Sequence, residues 1–337
     1  MRVIYNISFL LGLFFSYPLM SPADSIKEII WTDSFLNPED QVPTERLKFG
    51  YLMVPENYEA SEGRKIKIAF VIIKAAVKRS HRDASIYFKG GWGSQTIQNL
   101  SYYQGHFLSY ERDLILYDYR GTGYSEPSMC EDLGGNVLEN LRLNLSYQEF
   151  EQRQVDLFEQ CLADLADQGI DYHQYGSDNK ARDGVELAKA LGYESYNLFG
   201  VSYGTKTILQ FIRQATVPIR ATILDSNCPL DYPINAGMTA DYAQSLDKVL
   251  TACENDPNCQ QKYQGLREEV SAFLLSLDQK PLKVKLSGGH KFYLNRQEVN
   301  AIIHQLLYYE WSIKWQQLYA PLIVMQSSIN CYTMSGA

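Results

Sequence analysis

The stretch YNLFGVSYGTKTILQFIR, Tyr196 to Arg213, decides how the rest of the chain is read. A short strand-like run, Tyr196–Phe199, passes directly into Gly-x-Ser-x-Gly at Gly200, Ser202 and Gly204, and a helical pattern follows at once. A serine nucleophile needs this order of elements, because its hydroxyl must stand on a sharp strand-to-helix turn. The flanking glycines avoid clashes in that turn, and the helix N-terminus favours negative charge developing beside it. The five-residue pattern alone is weak, since a tight turn with an ordinary serine also produces it. The strand–turn–helix setting makes Ser202 the candidate nucleophile.

Upstream, IYFKGGWGS from Ile86 to Ser94 is a strand ending in a glycine-rich loop. Such a loop supplies one backbone N–H to an oxyanion, and the residue after the nucleophile supplies another. The candidate donors are Gly91 and Trp92 on the loop and Tyr203 beside Ser202. Phosphate cradling is disfavoured, because no Gly-x-Gly-x-x-Gly opens a helix here and no Lys-Ser/Thr follows. Between these pieces lies DLILYDYRGTGYS, Asp113 to Ser125. It reads as a buried strand and a turn pinned by an ion pair, in which Asp118 and Arg120 hold the loop rather than perform chemistry.

Strand-like runs recur at Leu47–Val54, Ile66–Ile73, Ser85–Phe88, Leu114–Tyr117 and Ala221–Leu224. Several are continuously apolar, which suits strands buried on both faces of a parallel sheet. Helical spacing connects Phe150, Leu157, Phe158, Cys161, Leu162 and Leu165, and again Val185, Ala188 and Leu191. The expected class is α/β, a mostly parallel sheet with helices on both faces. Near residue 230 the character changes. Three apolar stripes follow (Leu246, Val249, Leu250, Cys253; Leu266, Val270, Phe273, Leu274, Leu277; Val299, Ile302, Ile303, Leu306), with one hairpin, Leu282–Leu286 and Phe292–Leu294. The expectation is a core over 24–230 and a mainly helical cap over 231–337.

Residues 1–23 read as an export signal: Arg2, an apolar run from Ile7 to Phe15, and small residues around Ser21 and Ala23. An uncleaved membrane anchor is the alternative; after signal removal no stable membrane insertion is expected. The net charge of −8 argues against a nucleic-acid partner, which would require a concentrated basic surface. Six cysteines suit an oxidising compartment. Cys253 and Cys259 bracket a turn-rich segment that could close on itself, and Cys130 and Cys161 are the next natural pair. Unpaired buried thiols remain the alternative, and the pairing of Cys228 and Cys331 is open.

Three motifs occur in order: Gly90-Gly-Trp-Gly93, the Asp118–Ser125 turn, and Gly200–Thr205. Together with the helical segment Arg182–Gly192, they resemble the proline iminopeptidase / tripeptidyl aminopeptidase branch of the α/β-hydrolases. The two cysteine pairs resemble those of exported members. The resemblance implies an α/β-hydrolase fold with a helical cap. It also implies release of N-terminal residues or short peptides through an acyl-enzyme on Ser202, with no cofactor and a peptide or small amide or ester as substrate. Trp92 stands where the family usually carries proline.

In this fold the order is Ser, then Asp or Glu, then His. The family places both partners beyond the cap, so the expectation is a C-terminally truncated, catalytically incomplete chain with the final strands missing. His304 as base and Asp225 as acid are weak substitutes. Glu298 and Glu310 are candidates for holding a substrate amine. An esterase on the same fold, or a binding protein without catalysis, are the alternatives.

Overall fold

The computed structural model describes residues 28–36, 43–77, 82–91, 93–285 and 289–307. The segment read as an export signal lies outside the described residues, as do Trp92, Glu310 and Cys331.

Each strand-like run of the sequence forms a strand. β1 (Ile29–Thr32), β2 (Leu47–Pro55), β3 (Lys65–Ile73), β4 (Asp83–Phe88), β5 (Asp113–Tyr117), β6 (Ser195–Val201) and β7 (Ile219–Asp225) make one sheet in the order β1-β2-β3-β5-β4-β6-β7. The first four strands in that order pair antiparallel, and β5, β4, β6 and β7 run parallel. Parallel neighbours need crossovers, and helices supply them. β4 is buried at every position, which is why its sequence shows no alternation. β1 lies ahead of Leu47–Val54, the first strand-like run of the sequence. Four residues are too few for periodicity to show; the strand is held by pairing with β2 and by Trp31, edge-on to Phe70 at 5.5 Å.

Helices cover both faces of the sheet. On one face α4 (Ser177–Leu191) and α5 (Tyr203–Gln214) bring Val185, Ala188, Ile208 and Phe211 against Ile86, Phe88, Tyr196 and Leu198. On the other, the segment through α1 (Leu100–Gln104) packs Ile97, Leu100 and Tyr103 on Tyr87, Leu114 and Leu116. That second cover thins toward β7, where Ile223 is 50% exposed.

α2 (Leu133–Asn140) and α3 (Tyr147–Asp167) lie between β5 and α4 in the chain. α3 opens on a reciprocal cap between Ser146 and Glu149. Its expected stripe is narrower than the spacing suggests: Phe150 and Leu165 are buried, but Phe158 and Leu162 face solvent. Periodicity locates an apolar stripe without saying how much of its width a neighbour covers.

Past residue 230 come α6 (Ile234–Asn255), α7 (Pro257–Lys262), α8 (Leu266–Ser276), the hairpin β8 (Leu282–Lys285) and β9 (Lys291–Leu294), and α9 (Arg296–Leu307). Their three stripes meet in a cluster of their own, Val249, Leu250, Cys253, Val270, Phe273, Val299 and Ile303 among them. Both cysteine pairs are made. Cys130 and Cys161 lie with Cα atoms 5.6 Å apart, and Cys253 and Cys259 5.2 Å apart. Closing the short second loop is worth about 2 kcal/mol in chain entropy. Among the described residues no helix is long and apolar enough to cross a membrane.

Candidate active site

Ser202 sits at the end of β6 with φ 53° and ψ −122°, a conformation that side-chain-bearing residues rarely adopt. Strain of this kind costs on the order of 1–3 kcal/mol and persists only where the surroundings over-determine it. Here they do. The Ser202 N–H donates to the Asp225 carbonyl at 2.9 Å, and its own carbonyl accepts from the Thr205 N–H at 2.9 Å and the Thr205 hydroxyl at 2.6 Å. A Cβ on Gly204 would overlap the Phe88 carbonyl, so only glycine lets α5 start this close to β4. A Cβ on Gly90 would meet the Val201 carbonyl at 2.9 Å and the Ser202 Cβ at 3.2 Å. The glycine loop and the serine turn are therefore in direct contact.

This contact sets the candidate site. Tyr203 opens α5, so its N–H is among the first of the helix. Gly91, with φ +80°, turns the facing loop beside the serine. The Ser202 side chain is exposed between them. The geometry suits an oxygen that gains negative charge as a nucleophile attacks its carbonyl carbon.

The alpha/beta hydrolase fold family matches residues 94–260, a stretch that includes β5, the Asp118–Ser125 turn and the whole serine turn. The chain has the α/β-hydrolase fold. Solved structures similar to it include a protein of Agrobacterium vitis S4 described as a hydrolase, at 15% identity and TM-score 0.31, covering 58% of this chain and 61% of that one. A protein of Pseudomonas aeruginosa described as an epoxide hydrolase shows 13% identity and TM-score 0.26, covering 52% of this chain and 40% of that one. A membrane phospholipase A, a bacterial virulence factor, shows 13% identity and TM-score 0.30, covering 53% and 38%. The chain thus spans less than two thirds of the length of each of these three. No curated protein matches it.

Within the α/β-hydrolase fold, the Asp118–Ser125 turn braces the glycine loop from below. The Asp118 carboxylate accepts from the N–H groups of Thr96 at 2.6 Å, Ile97 at 3.0 Å and Tyr124 at 3.0 Å. Burial pushes its pKa up, against those donors and Lys89. Lys89 Nζ ties the other side of the loop, donating to the Gln95 carbonyl at 2.6 Å.

The expected ion pair between Asp118 and Arg120 is not formed. Arg120 instead makes a two-pronged pair with Asp183 of α4, at 2.8 and 2.6 Å, with both side chains fully buried. It also donates to the carbonyls of Glu56 and Gln174, and Tyr58 Oη donates to Asp183 at 2.7 Å. Burial opposes the guanidinium charge, but Asp183 beside it raises the pKa. The reason for the correction is valence: backbone amides occupy Asp118, so the buried cation takes its carboxylate from the helix. The available signal was an acidic residue four positions before Leu187, on the apolar face of α4.

The other candidates are placed as follows. His304 lies in the helical cluster, its ring 5.8 Å from that of Tyr242. His106 sits among Tyr102, Phe107 and Phe199, its Nδ1 accepting from the Leu108 N–H, and burial lowers its pKa. His173 rests on Tyr172. His106 and His173 make these contacts away from Ser202. Asp225 touches Ser202 through its carbonyl, while its exposed carboxylate accepts from the Ser226 hydroxyl at 3.0 Å. Glu298 is engaged by its own helix: it accepts the Asn295 N–H at 3.0 Å while Asn295 Oδ1 accepts the Gln297 N–H at 2.8 Å. Burial raises the Glu298 pKa. Cys228 has no disulfide partner among the described residues, and its N–H donates to the Thr205 hydroxyl at 2.7 Å.

Proposed function

We propose that the chain is an exported serine hydrolase of aminopeptidase type that forms an acyl-enzyme on Ser202. One observation carries the reading: a strained, exposed serine is held against a glycine loop, with a helix N-terminus beside it. Ser202 Oγ attacks the substrate carbonyl carbon. The resulting oxyanion accepts hydrogen bonds from the Tyr203 N–H and from the loop at Gly91 and Trp92, and collapse expels the leaving amine or alcohol. The sequence resemblance supports the peptide substrate, and the two disulfides support export. Deprotonating Ser202 needs a general base within hydrogen-bond reach.

The test is labelling by a fluorophosphonate followed by peptide mapping. The expected result is modification at Ser202 that Ser202→Ala abolishes; equal labelling of both proteins would sink the assignment. A second reading, an ester hydrolase, is favoured by Glu298, because a carboxylate spent on capping α9 is poorly placed to hold a substrate amine. Aminoacyl p-nitroanilides set against short-chain p-nitrophenyl esters separate the two.

A further inference from the structure

Beneath the serine turn lies a lysine that this chemistry does not use. Lys180, in the first turn of α4, is only 6% exposed. Its ammonium lies 5.6 Å from the ring centre of Tyr119 and 5.4 Å from that of Tyr203. The two rings meet edge-on at 6.4 Å. Each ring belongs to one half of the oxyanion site. Tyr119 Oη donates to the carbonyl of Lys89, the residue before Gly90, at 3.2 Å. Tyr203 carries the amide on the opposite side.

The helix does not require a charge at this position, and enclosing one is costly. A methionine would fill a similar volume. What the amine adds is attraction to both aromatic faces at once. The charged groups around it are Arg120, of like sign, and Asp183 one turn along α4. Tyr117 Oη donates to the Lys180 carbonyl at 3.2 Å, and the Tyr203 hydroxyl faces Ser177, Asp178 and Cys228.

We propose that Lys180 is a positioning residue that acts as a cation, drawing the Tyr119 and Tyr203 rings together and so fixing the spacing between the two halves of the oxyanion site. Burial, and then Arg120, pull its pKa down to about 8, with Asp183 acting the other way. The clamp therefore holds in neutral solution and releases as pH rises through that value. Global stability moves in the opposite direction. The folded state gives up the proton near pH 8, whereas the unfolded chain keeps it to about 10.4, so stability relative to a Lys180→Met protein rises across that window.

The proposal rests on the reading of Ser202 only for its consequence, and the experiment keeps the two apart. Hydrogen exchange, corrected for intrinsic base catalysis, is followed around Gly90 and Tyr203 in wild type, Lys180→Met and Lys180→Arg at about pH 6.5 and about pH 9.5. At the lower pH, Lys180→Met should exchange about tenfold faster in both segments, the equivalent of a desolvated cation–π contact. At the higher pH, wild type should come within about twofold of Lys180→Met while Lys180→Arg keeps its protection. Should the arginine protein not fold, the wild-type and methionine proteins suffice. Equal exchange at both pH values, or a difference of the same size at both, overturns the clamp. Fluorophosphonate labelling in the same samples reports on the other reading. A pH-dependent clamp with Ser202 unlabelled overturns the nucleophile alone, and a labelled Ser202 with a pH-independent difference overturns the clamp alone.

Discussion

β4 and β7 stand on either side of the strand that carries Ser202, and they are opposites. Asp83–Phe88 is buried at all six positions between β5 and β6, whereas Ile219–Asp225 alternates between half-buried and exposed and pairs only with β6 among the described residues. Their compositions are similar, DASIYF against IRATILD, so position in the sheet makes the difference. The serine turn leans on the buried side. Gly204 lies against Phe88 and Gly90 lies against Ser202, while the β7 side contributes the bond from the Ser202 N–H to the Asp225 carbonyl. A strained residue needs rigid neighbours, and the closed side of the sheet supplies them.

If the closed side does the holding, disturbing it should be far more damaging than disturbing β7. The largest effect is expected from Arg120→Met, which leaves Asp183 charged and enclosed with no ion-pair partner. A loss of about 3–5 kcal/mol should be seen by denaturant titration. Pairing it with Asp183→Leu should restore most of that, because two apolar groups replace two that needed each other. A mild single-mutant effect would mean that the pair is better solvated than its burial implies.

Gly204→Ala tests the contact with β4 directly. The added methyl group forces α5 away from the Phe88 carbonyl, an overpacking cost of about 3 kcal/mol. Labelling of Ser202 should fall about 100-fold or more as the Tyr203 amide shifts. Stability and labelling should fall together; unchanged labelling in a destabilised protein would show that the serine turn does not depend on β4. The smallest effect belongs to β7. Ile223→Lys should leave stability within about 0.5 kcal/mol by denaturant titration, because the side chain is half exposed. Unfolding by that change would put β7 on the same footing as β4.

The local features were legible because their signals are local. Strand runs, the Gly-x-Ser-x-Gly turn and the glycine loop each declare themselves within about ten residues, through side-chain period and turn chemistry. The cap on α9 is equally local: Asn295 followed three residues later by Glu298, before an apolar run, is a helix-start signature. β1 was missed because it has too few residues to show a period and owes its existence to β2.

By itself the sequence determined the α/β class, the Gly-x-Ser-x-Gly turn and the glycine-bearing segment that meets it. Backbone sterics dictate those residue types wherever the chain turns sharply or two segments approach closely. Only the tertiary structure decided that Arg120 pairs with Asp183 rather than Asp118, that Lys180 lies between two tyrosines, and that β4 is enclosed while β7 pairs only with β6 among the described residues. Each of these is a choice among distant partners, set by which charges the packing encloses together. No window of neighbouring residues contains that sum.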